Sequence, residues 1–440
     1  MSLQYAPAGR TASEIAADVE AAVRDGRLLP GSPLPPVRTL ATELRLSPTT
    51  VAAAYRDLRL KGIARGHRRA GTRITGSPPT APRLPLAVPA GVRNLISGSP
   101  DPALLPRLPS PRRPAAVTVS PRLYGDSPVS PLLAELAAER LTADGIDPAN
   151  LAVVGGALDG VERALGAWLR PGDRVAVEDP GYAPLLDLLI AMDLEIVPVA
   201  LDEYGVRPDA LAHALSADCR AVLLVPRAQS PTGAAWNEHR VRELGNELAA
   251  QPDVLVIEDD HAAEVAGAPA ATVTTGRRRW AAIRSVSKSL GPDLRLAVLA
   301  GDPVTVARVE GRQALGTGWV SYLLQDTVAD LWADPQTADL LERAAASYER
   351  RRERLLGELA DRSIAAVGRS GMAVWVPVAD EVGTTSALLD RGWAVAPGER
   401  FRIAAPPGIR IGIASLTAAD AATLAADLAA ALRVRPRRTD

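Results

Sequence analysis

The chain has 440 residues, of which 47% are hydrophobic and 23% charged, and its formal net charge is −1. A chain of this length is too large for one hydrophobic core, so two or three domains are expected. The near-neutral charge argues against a protein that coats nucleic acid along its whole length. The single cysteine, Cys219, excludes an internal disulfide and fits a reducing cytoplasm. No apolar run has the length of a signal peptide core or of a membrane span, so a cytoplasmic protein without membrane contact is predicted.

The first 75 residues differ in charge from the rest. They carry twelve basic and six acidic side chains, which gives a net charge of +6, whereas the remainder of the chain is net negative. A basic segment on a near-neutral chain indicates a localised polyanionic partner.

Three helices and a hairpin are predicted in this basic segment. A capping box at residues 11–14 starts the first helix, and a second short helix fits residues 36–44. The Ser-Pro pair at 47–48 starts the third helix, with serine as N-cap and proline at the first helical position. Residues 63–74 are typical of a β-hairpin. This order predicts a winged helix-turn-helix whose third helix enters the major groove of DNA by its N-terminal end.

Candidate DNA-contacting residues cluster at the start of the third helix and in the hairpin. Hydroxyls and free backbone N–H groups at a helix start can meet phosphates and base edges. Basic side chains at the wing can reach phosphates or a minor groove. The candidates are Ser47, Thr49 and Thr50 on the third helix, Arg38 on the second, and His67 and Arg68 at the wing.

Residues 11–75 resemble the GntR-type winged helix. The resemblance rests on the order of two motifs, L-P-x-x-R-x-L-A and S-x-T-T-V-x-x-A-Y-x-x-L, followed by a Gly-Thr pair in the wing. It implies operator binding as a dimer. Pro48 stands where some relatives carry an arginine, which puts one base contact in doubt. The DNA contacts that the resemblance implies are at Arg38, Ser47, Thr49, Thr50 and Gly66.

A linker and a larger α/β region follow. Residues 76–93 are rich in proline with glycine and serine, which predicts an extended linker. From residue 94 to 432, helix and strand patterns alternate, so an α/β fold with a mostly parallel sheet is expected. Ligands bind at the carboxyl ends of such strands. Three apolar runs that end in polar residues are strand candidates: Arg174–Glu178, Ala221–Pro226 and Val254–Glu258. For the basic tail at 433–440, solvation is favoured over DNA contact.

Lys288 is one of two lysines in a chain with 48 arginines. Because arginine stays protonated and cannot form an imine, a lysine retained in such a chain is a candidate for amine chemistry. It lies in the sequence S-V-S-K-S-L, with Arg295 seven residues on. This is the setting expected for a lysine that holds pyridoxal phosphate (PLP) as a Schiff base. On this residue alone, a surface lysine without a function is the alternative.

The motifs of the α/β region occur in a set order. They are Tyr124-Gly125-Asp126, Glu178-Asp179-Pro180-Gly181-Tyr182, Ser230-Pro231-Thr232-Gly233, Asp259, Lys288 and Gly408-Ile409-Arg410-Ile411-Gly412. This order resembles the fold-type I PLP enzymes, the aspartate aminotransferase superfamily, over nearly all of residues 94–432. Together with the GntR-type segment, the whole chain resembles the MocR-type transcriptional regulators. The resemblance implies a large α/β subdomain at about 121–315, a smaller C-terminal α+β subdomain at about 316–432, and a head-to-tail homodimer.

The resemblance also implies roles around the pyridine ring. Lys288 would form the internal aldimine, and Asp259 would pair with the pyridinium nitrogen and keep it protonated. Tyr182 would stack on the ring face. Ser230 and His261 would lie near the ring hydroxyl, where relatives often carry Asn and Tyr.

Two further groups of residues would bind anions. Arg410 would bind the carboxylate of an amino-acid ligand. Arginine suits phosphate because its donors form a rigid fork, and a helix N-terminus suits it because its N–H groups are free. The phosphate would be held by the backbone N–H groups of Gly156 and Ala157 and by the side chains of Ser285, Ser287 and Arg295. No metal site is predicted.

Three functions are compatible with these residues. The favoured one is a PLP-dependent transcriptional regulator in which PLP, an amino acid or an amine modulates operator binding. The second is an active amino-acid aminotransferase that carries a DNA-binding module, although Ser230 and His261 put full turnover in doubt. The third is a regulator whose large domain has lost PLP and serves as a scaffold, against which the retained Lys288 argues. Whether the chain is an enzyme stays open at this point.

Overall fold

The computed structural model describes residues 5–29, 31–60, 62–67, 71–74, 88–108 and 122–433. Arg68, most of the predicted linker and tail residues 434–440 therefore lie outside the described residues. The chain forms two compact units. The first comprises Met1–Pro85 with Asp187–Asp193, and the second comprises Leu86–Leu186 with Leu194–Asp440. We call residues 1–85 the head and the second unit the body.

The head contains three helices and a hairpin, as the sequence predicts. They are α1 (Ala12–Arg24), α2 (Val37–Leu44), α3 (Pro48–Leu60), β1 (Ala64–His67) and β2 (Gly71–Ile74). The two strands pair antiparallel. The predicted caps are confirmed, because the Thr11 hydroxyl accepts from the Glu14 N–H at 3.2 Å and the Ser47 hydroxyl accepts from the Thr50 N–H at 3.1 Å.

Apolar residues at helical spacing form a hydrophobic core within the head. Ile15 and Val19 of α1 and Tyr55 of α3 are buried there. The Tyr55 hydroxyl donates to the Pro35 carbonyl at 2.8 Å, and burial raises the pKa of this hydroxyl. This hydrogen bond ties α3 to the turn before α2.

The body begins with the short strand β3 (Arg93–Asn94). A central sheet follows, made of β4 (Leu151–Val154), β5 (Arg174–Asp179), β6 (Glu195–Asp202), β7 (Gly205–Val206), β8 (Ala221–Leu224), β9 (Leu255–Asp260), β10 (Trp280–Ser285) and β11 (Ala297–Gly301). The strand order is β4-β11-β10-β9-β8-β5-β6-β7. Strands β10, β9, β8, β5 and β6 run parallel, and the other three pair antiparallel. The mostly parallel α/β sheet and the three strand candidates are thus confirmed, with ends that differ by one or two residues.

Helices pack on this sheet. Its inner strands β9 and β10 are buried along their whole length, as expected when both faces of a sheet are covered. The helices of this part of the chain are α4 (Pro131–Ala143), α5 (Ala157–Trp168), α6 (Ala183–Ala191), α7 (Pro208–Leu215), α8 (Glu238–Ala249) and α9 (Pro303–Ala314). The C-terminal part adds α10 (Tyr322–Ala333), α11 (Pro335–Ala360), α12 (Glu381–Leu389) and α13 (Ala418–Arg433). Within the described ranges, none of these helices is both long and apolar enough to cross a membrane.

A second, antiparallel sheet lies in the C-terminal part. It contains β12 (Ala373–Pro377), β14 (Ala396–Pro397) and β15 (Gly408–Gly412), with β15 in the middle. The strand β13 (Trp393–Ala394) pairs in parallel with β3. The start of the body is therefore fixed to its C-terminal part, and the expected α+β character of that part is confirmed.

The carboxylate of Asp179 connects the end of β5 to the loop after β14. It accepts hydrogen bonds from the three successive N–H groups of residues 403–405 at 2.7–2.8 Å. The Gly181 N–H donates to the Phe401 carbonyl at 2.7 Å beside them. Hydrogen bonds to a charged acceptor are stronger than neutral ones, so this connection holds the two sheets together firmly.

Candidate functional site

The candidate residues of the body meet at the carboxyl ends of the parallel strands. Asp259 is the penultimate residue of β9. Tyr182, Ser230 and Lys288 follow the strands β5, β8 and β10, respectively. A cavity in this place is lined by Tyr182, Ser230, Asp259 and His261 together with apolar residues of β5 and β8. This is the edge at which open α/β sheets bind ligands.

Lys288 lies in this site with its amine pointing at backbone oxygen. Its Nζ donates to the Gly98 carbonyl at 2.5 Å. Burial and, to a smaller extent, the nearby Arg410 cation lower the pKa of Lys288 to about 8, against the opposite effect of Asp259. The lowered pKa increases the share of neutral amine near physiological pH, and the neutral amine is the nucleophilic form.

Asp259 is a buried carboxylate with an unsatisfied oxygen. Among the described residues its Oδ1 has no hydrogen-bond partner. Burial raises the pKa of Asp259 to about 7, with a contribution from the adjacent Asp260. Asp260 itself is compensated, because its carboxylate pairs with Arg227 at 2.8 Å and with Arg284 at 3.2 Å. The open oxygen of Asp259 thus calls for a protonated donor from a ligand.

Tyr182 and His261 face the same cavity with nearly parallel rings. Their ring centroids lie 6.4 Å apart and the planes are inclined by 15°. Burial and the neighbouring Lys288 together lower the pKa of His261 to about 4. The imidazole is therefore neutral at physiological pH.

Arg410 lies in β15 and is buried, and no carboxylate of the described part of the chain pairs with it. Its Nη1 donates to the Ile96 carbonyl at 3.0 Å, while its Nε has no partner among the described residues. Burial lowers the pKa of Arg410 to about 10. Because an uncompensated cation is costly to bury, this guanidinium favours an anionic ligand.

The N-terminus of α5 forms a cradle with Arg295. Gly156 has φ +104°, and a Cβ there would lie 3.1 Å from Arg295 Nη2, so the turn requires glycine. The Gly156 N–H donates to the Val154 carbonyl at 2.9 Å and is not free for a ligand. The free helix N–H groups begin at Ala157, where the helix dipole favours an anion. Of the two backbone donors expected from the sequence, the structure leaves Ala157 available.

Ser285 and Ser287, which precede Lys288 in the chain, are the remaining candidates for binding a phosphate. The Ser285 hydroxyl donates to the Ser287 hydroxyl at 3.0 Å, and the Ser287 N–H donates to the Ser285 hydroxyl at 3.2 Å. Taken with the lysine amine of lowered pKa and the carboxylate oxygen that lacks a partner, these groups fit a planar aldehyde that carries a pyridine nitrogen and a phosphate. The residues present therefore fit PLP.

Sequence reasoning missed the backbone of residues 96–98. The carbonyls of Ile96 and Gly98 accept from Arg410 and Lys288, and a Cβ on Gly98 would lie 3.1 Å from Arg410 Nη2. A carbonyl gives no residue-type signal, so this segment could have been found only through its Ser-Gly-Ser-Pro turn composition.

The candidate DNA-contacting residues of the head are at the surface. The Ser47 hydroxyl lies 2.6 Å from the Thr49 hydroxyl and 2.8 Å from the Thr50 hydroxyl at the start of α3. Arg38 and Thr49 are exposed. Gly66 and His67 belong to β1, of which the backbone is described, and Arg68 lies outside the described residues.

Comparison with known proteins gives two families. Residues 11–74 match the bacterial regulatory proteins of the gntR family, and residues 99–428 match aminotransferase class I and II. The vitamin B6 salvage pathway transcriptional repressor PtsJ of Salmonella typhimurium is 40% identical over 96% of this chain and 99% of its own length. The pyridoxine biosynthesis transcriptional regulator PdxR of Corynebacterium glutamicum is 31% identical over 58% of this chain and 57% of its own.

Solved structures agree on the fold of the body. The kynurenine aminotransferase of Pyrococcus horikoshii superposes with a TM-score of 0.69 at 19% identity, covering 79% of this chain and 92% of that one. At this identity the likeness establishes the fold, which is that of fold-type I.

Proposed function

Because this chain belongs to the transcriptional regulators that join a GntR DNA-binding domain to an aminotransferase class I and II domain, we propose that PLP bound at Lys288 controls its binding to an operator. One observation carries the proposal. Lys288 and Arg410 both donate to carbonyls of one short segment, residues 96–98, which is joined to the linker through β3.

The residues that would hold the cofactor have separate tasks. Lys288 would hold the aldehyde carbon, Asp259 would accept a hydrogen bond from the pyridine nitrogen, and Arg295 with the Ala157 N–H and the two serines would bind the phosphate. When bound, PLP supplies an electron-withdrawing ring conjugated to the lysine nitrogen. The unpaired Oδ1 of Asp259 supports this assignment.

We expect ligand binding to affect the head because the ligand and residues 96–98 compete for the same hydrogen-bond donors, Lys288 and Arg410. A Lys288 amine committed to PLP no longer donates to Gly98, and an Arg410 that binds a carboxylate weakens its bond to Ile96. Residues 96–98 then lose two of the hydrogen bonds that hold them in the site, while the Ile96 and Ser97 N–H groups still donate to Asn94. Since β3 lies between the linker and this segment, a shift of residues 96–98 would reach the head through that strand. A ligand shifts the operator equilibrium only through such a difference between two states.

Two effector classes fit the site. The names of PtsJ and PdxR concern vitamin B6, which supports PLP itself as the effector. The unpaired Arg410 supports a second ligand with a carboxylate, such as an amino acid. The two are separable, because PLP requires Lys288 whereas the carboxylate requires Arg410.

The operator-bound form in this proposal is a head-to-tail homodimer. Tyr124 is 94% exposed and packs edge-on against Trp319 at 5.6 Å between ring centroids. Leu315 and Leu323 are also largely exposed. Exposed apolar residues of this size support an interface with a second copy. Sedimentation of wild type and Tyr124→Glu tests this: a wild type that remains monomeric at micromolar concentration contradicts it.

A DNA-binding titration tests the function as a whole. A duplex is selected from a random pool with the full-length protein, and its Kd is measured with and without PLP for wild type and Lys288→Ala. We expect PLP to change the wild-type Kd by about tenfold and the variant's Kd by less than about twofold. Equal responses of both proteins, or none in wild type, would overturn the proposal.

Aminotransferase activity is a second candidate. It is favoured by the presence of a lysine, an aspartate and an unpaired arginine in one site. Single-turnover mixing of the PLP-loaded protein with a panel of L-amino acids, followed by detection of the 2-oxo acid, decides the matter. One equivalent of 2-oxo acid per site supports an enzyme, and its absence supports a regulator alone.

A further inference from the structure

The third helix of the head buries one face and exposes the opposite one. Val51 and Tyr55 of α3 point into the head's hydrophobic core, where both are buried. Because about 3.6 residues make one helical turn, the residues on the other side of α3 share one outward face. Three of them are exposed and the third in chain order is half-buried: Thr49, Ala52, Ala53 and Arg56.

Arg56 is the cation of this outward face. Within residues 48–58, the part of α3 whose side chains are described, no other residue is basic. Its side chain is exposed, and no carboxylate of the described residues pairs with it. Ala52 and Ala53, its neighbours on the helix surface, end at Cβ and leave the guanidinium unshielded. Its hydrogen-bond donors are therefore open to a partner that carries acceptors.

The start of the same helix offers little discrimination between bases. The Ser47 hydroxyl lies 2.6 Å from the Thr49 hydroxyl and 2.8 Å from the Thr50 hydroxyl. Hydroxyls donate as well as accept, so they bond to several kinds of base edge. A guanidinium only donates, and its parallel N–H groups match the O6 and N7 acceptors of guanine.

The spacing along α3 separates the two kinds of contact. At about 1.5 Å per residue, Arg56 lies roughly 10 Å beyond Thr49 along the helix axis. At about 3.4 Å per base pair, this distance corresponds to roughly three base pairs of a duplex. A helix that lies in the major groove can therefore place Thr49 and Arg56 on different base pairs.

We propose that Arg56 recognises a guanine of the operator in the major groove, by paired hydrogen bonds to its O6 and N7 atoms. Ala52 and Ala53 permit the close approach that these bonds require. The inference rests on the operator binding of the proposed function and is independent of PLP. It assigns sequence specificity to the second half of α3, beyond the contacts expected at its start.

Substitution of the operator one base pair at a time tests this assignment. The duplex selected with the full-length wild type is changed at each position, and Kd is measured by fluorescence anisotropy for wild type, Arg56→Ala and Arg24→Ala. Arg24 is an exposed arginine at the C-terminal end of α1, so its variant is the matched control.

We expect one G·C pair at which a base change weakens wild-type binding about tenfold and weakens Arg56→Ala binding less than about threefold. The ratios at the other positions should be the same in both proteins, and the control should keep the whole wild-type pattern. If Arg56→Ala weakens binding to every duplex alike and leaves all ratios unchanged, Arg56 contacts a phosphate and the proposal is wrong.

A modified base gives a second measurement that needs no change in the wild-type protein. A duplex with 7-deazaguanine at this position lacks the N7 acceptor and keeps O6. Wild type should bind it about fivefold more weakly than the unmodified duplex, whereas Arg56→Ala should bind both within about twofold of each other. Equal losses in the two proteins, or none in wild type, contradict the contact. A wild type that selects no duplex at all would instead contradict the operator binding of the proposed function, so the two failures are distinguishable.

Discussion

The polar groups of the head and of the body are arranged in opposite ways. At the start of α3, hydroxyls of the head are exposed and hydrogen-bond to one another. In the body, Asp259 and Arg410 are buried and each keeps an atom without a partner among the described residues. Exposed groups that are already solvated bind a polyanion through many weak, salt-dependent contacts. Buried, incompletely paired groups bind one ligand of matching chemistry with high selectivity.

One chain thus keeps the recognition of a polyanion and the recognition of a small ligand in separate regions. The head has a hydrophobic core of its own, and the hydroxyls at the start of α3 hydrogen-bond to one another without a ligand. The body leaves hydrogen-bonding capacity open, at a cost that a bound ligand offsets. Substitutions in the two regions should therefore change different observables.

The largest effect is expected from Lys288→Arg. Arginine keeps the positive charge but cannot form an imine, so covalent attachment of PLP should be lost and retention during dialysis should fall by more than about a hundredfold. Absorbance near roughly 420 nm after addition of PLP measures it. Thermal unfolding of the head serves as a control and should not change. A persistent band would show that Lys288 is not the site of attachment.

A substitution on the DNA side should leave that band intact. Arg38→Gln is expected to weaken DNA binding to all sequences alike and to reduce the slope of log K against log salt by about one. Arg24→Gln, which removes an exposed arginine at the C-terminal end of α1, is the matched control. Fluorescence anisotropy at several salt concentrations gives both slopes. If the control variant loses as much slope as Arg38→Gln, the assigned DNA face is wrong.

Tyr55→Phe should affect the stability of the head. It removes the donor to the buried Pro35 carbonyl, which is expected to cost about 1–2 kcal/mol. Urea unfolding followed by circular dichroism measures the loss, and PLP affinity of the body should be unchanged. An unchanged midpoint would mean that water replaces the hydroxyl.

The smallest effects concern the pH dependence of PLP attachment. Because the neutral amine attacks, the rate should rise with pH through the lowered Lys288 pKa of about 8. Arg410→Met removes a cation that lowers this pKa, so the rate profile should move to higher pH. Asp259→Asn removes an anion that raises it, so the profile should move to lower pH. Stopped-flow absorbance gives the profiles, and shifts in the reverse directions would contradict the assigned electrostatics.

Much of the architecture could be predicted from the sequence, because it depends on local patterns. Residue type and periodicity predict the helix caps at Thr11 and Ser47. They also predict the strand that contains Asp259 and the strand that precedes Lys288. Side chains at carboxyl ends of parallel strands meet at one edge, so the composition of the candidate site also follows.

Other features depend on atoms that carry no residue-type signal. The Ile96 and Gly98 carbonyls reach the site because β3 pairs with β13, some 300 residues apart in the chain. The Gly156 N–H donates to the Val154 carbonyl, and this hydrogen bond depends on the positive φ of Gly156. Long-range strand pairing and single backbone torsions are not encoded in a local pattern, so neither could be foreseen.

The hydrogen bonds of Asp179 to residues 403–405 have a mechanical consequence. A body joined at this point by three charge-assisted bonds resists rigid rotation of one sheet against the other. A ligand that draws Lys288 and Arg410 away from residues 96–98 would therefore act against a fixed frame. The resulting change would be confined to side chains and to this short backbone segment, without a movement of one sheet against the other.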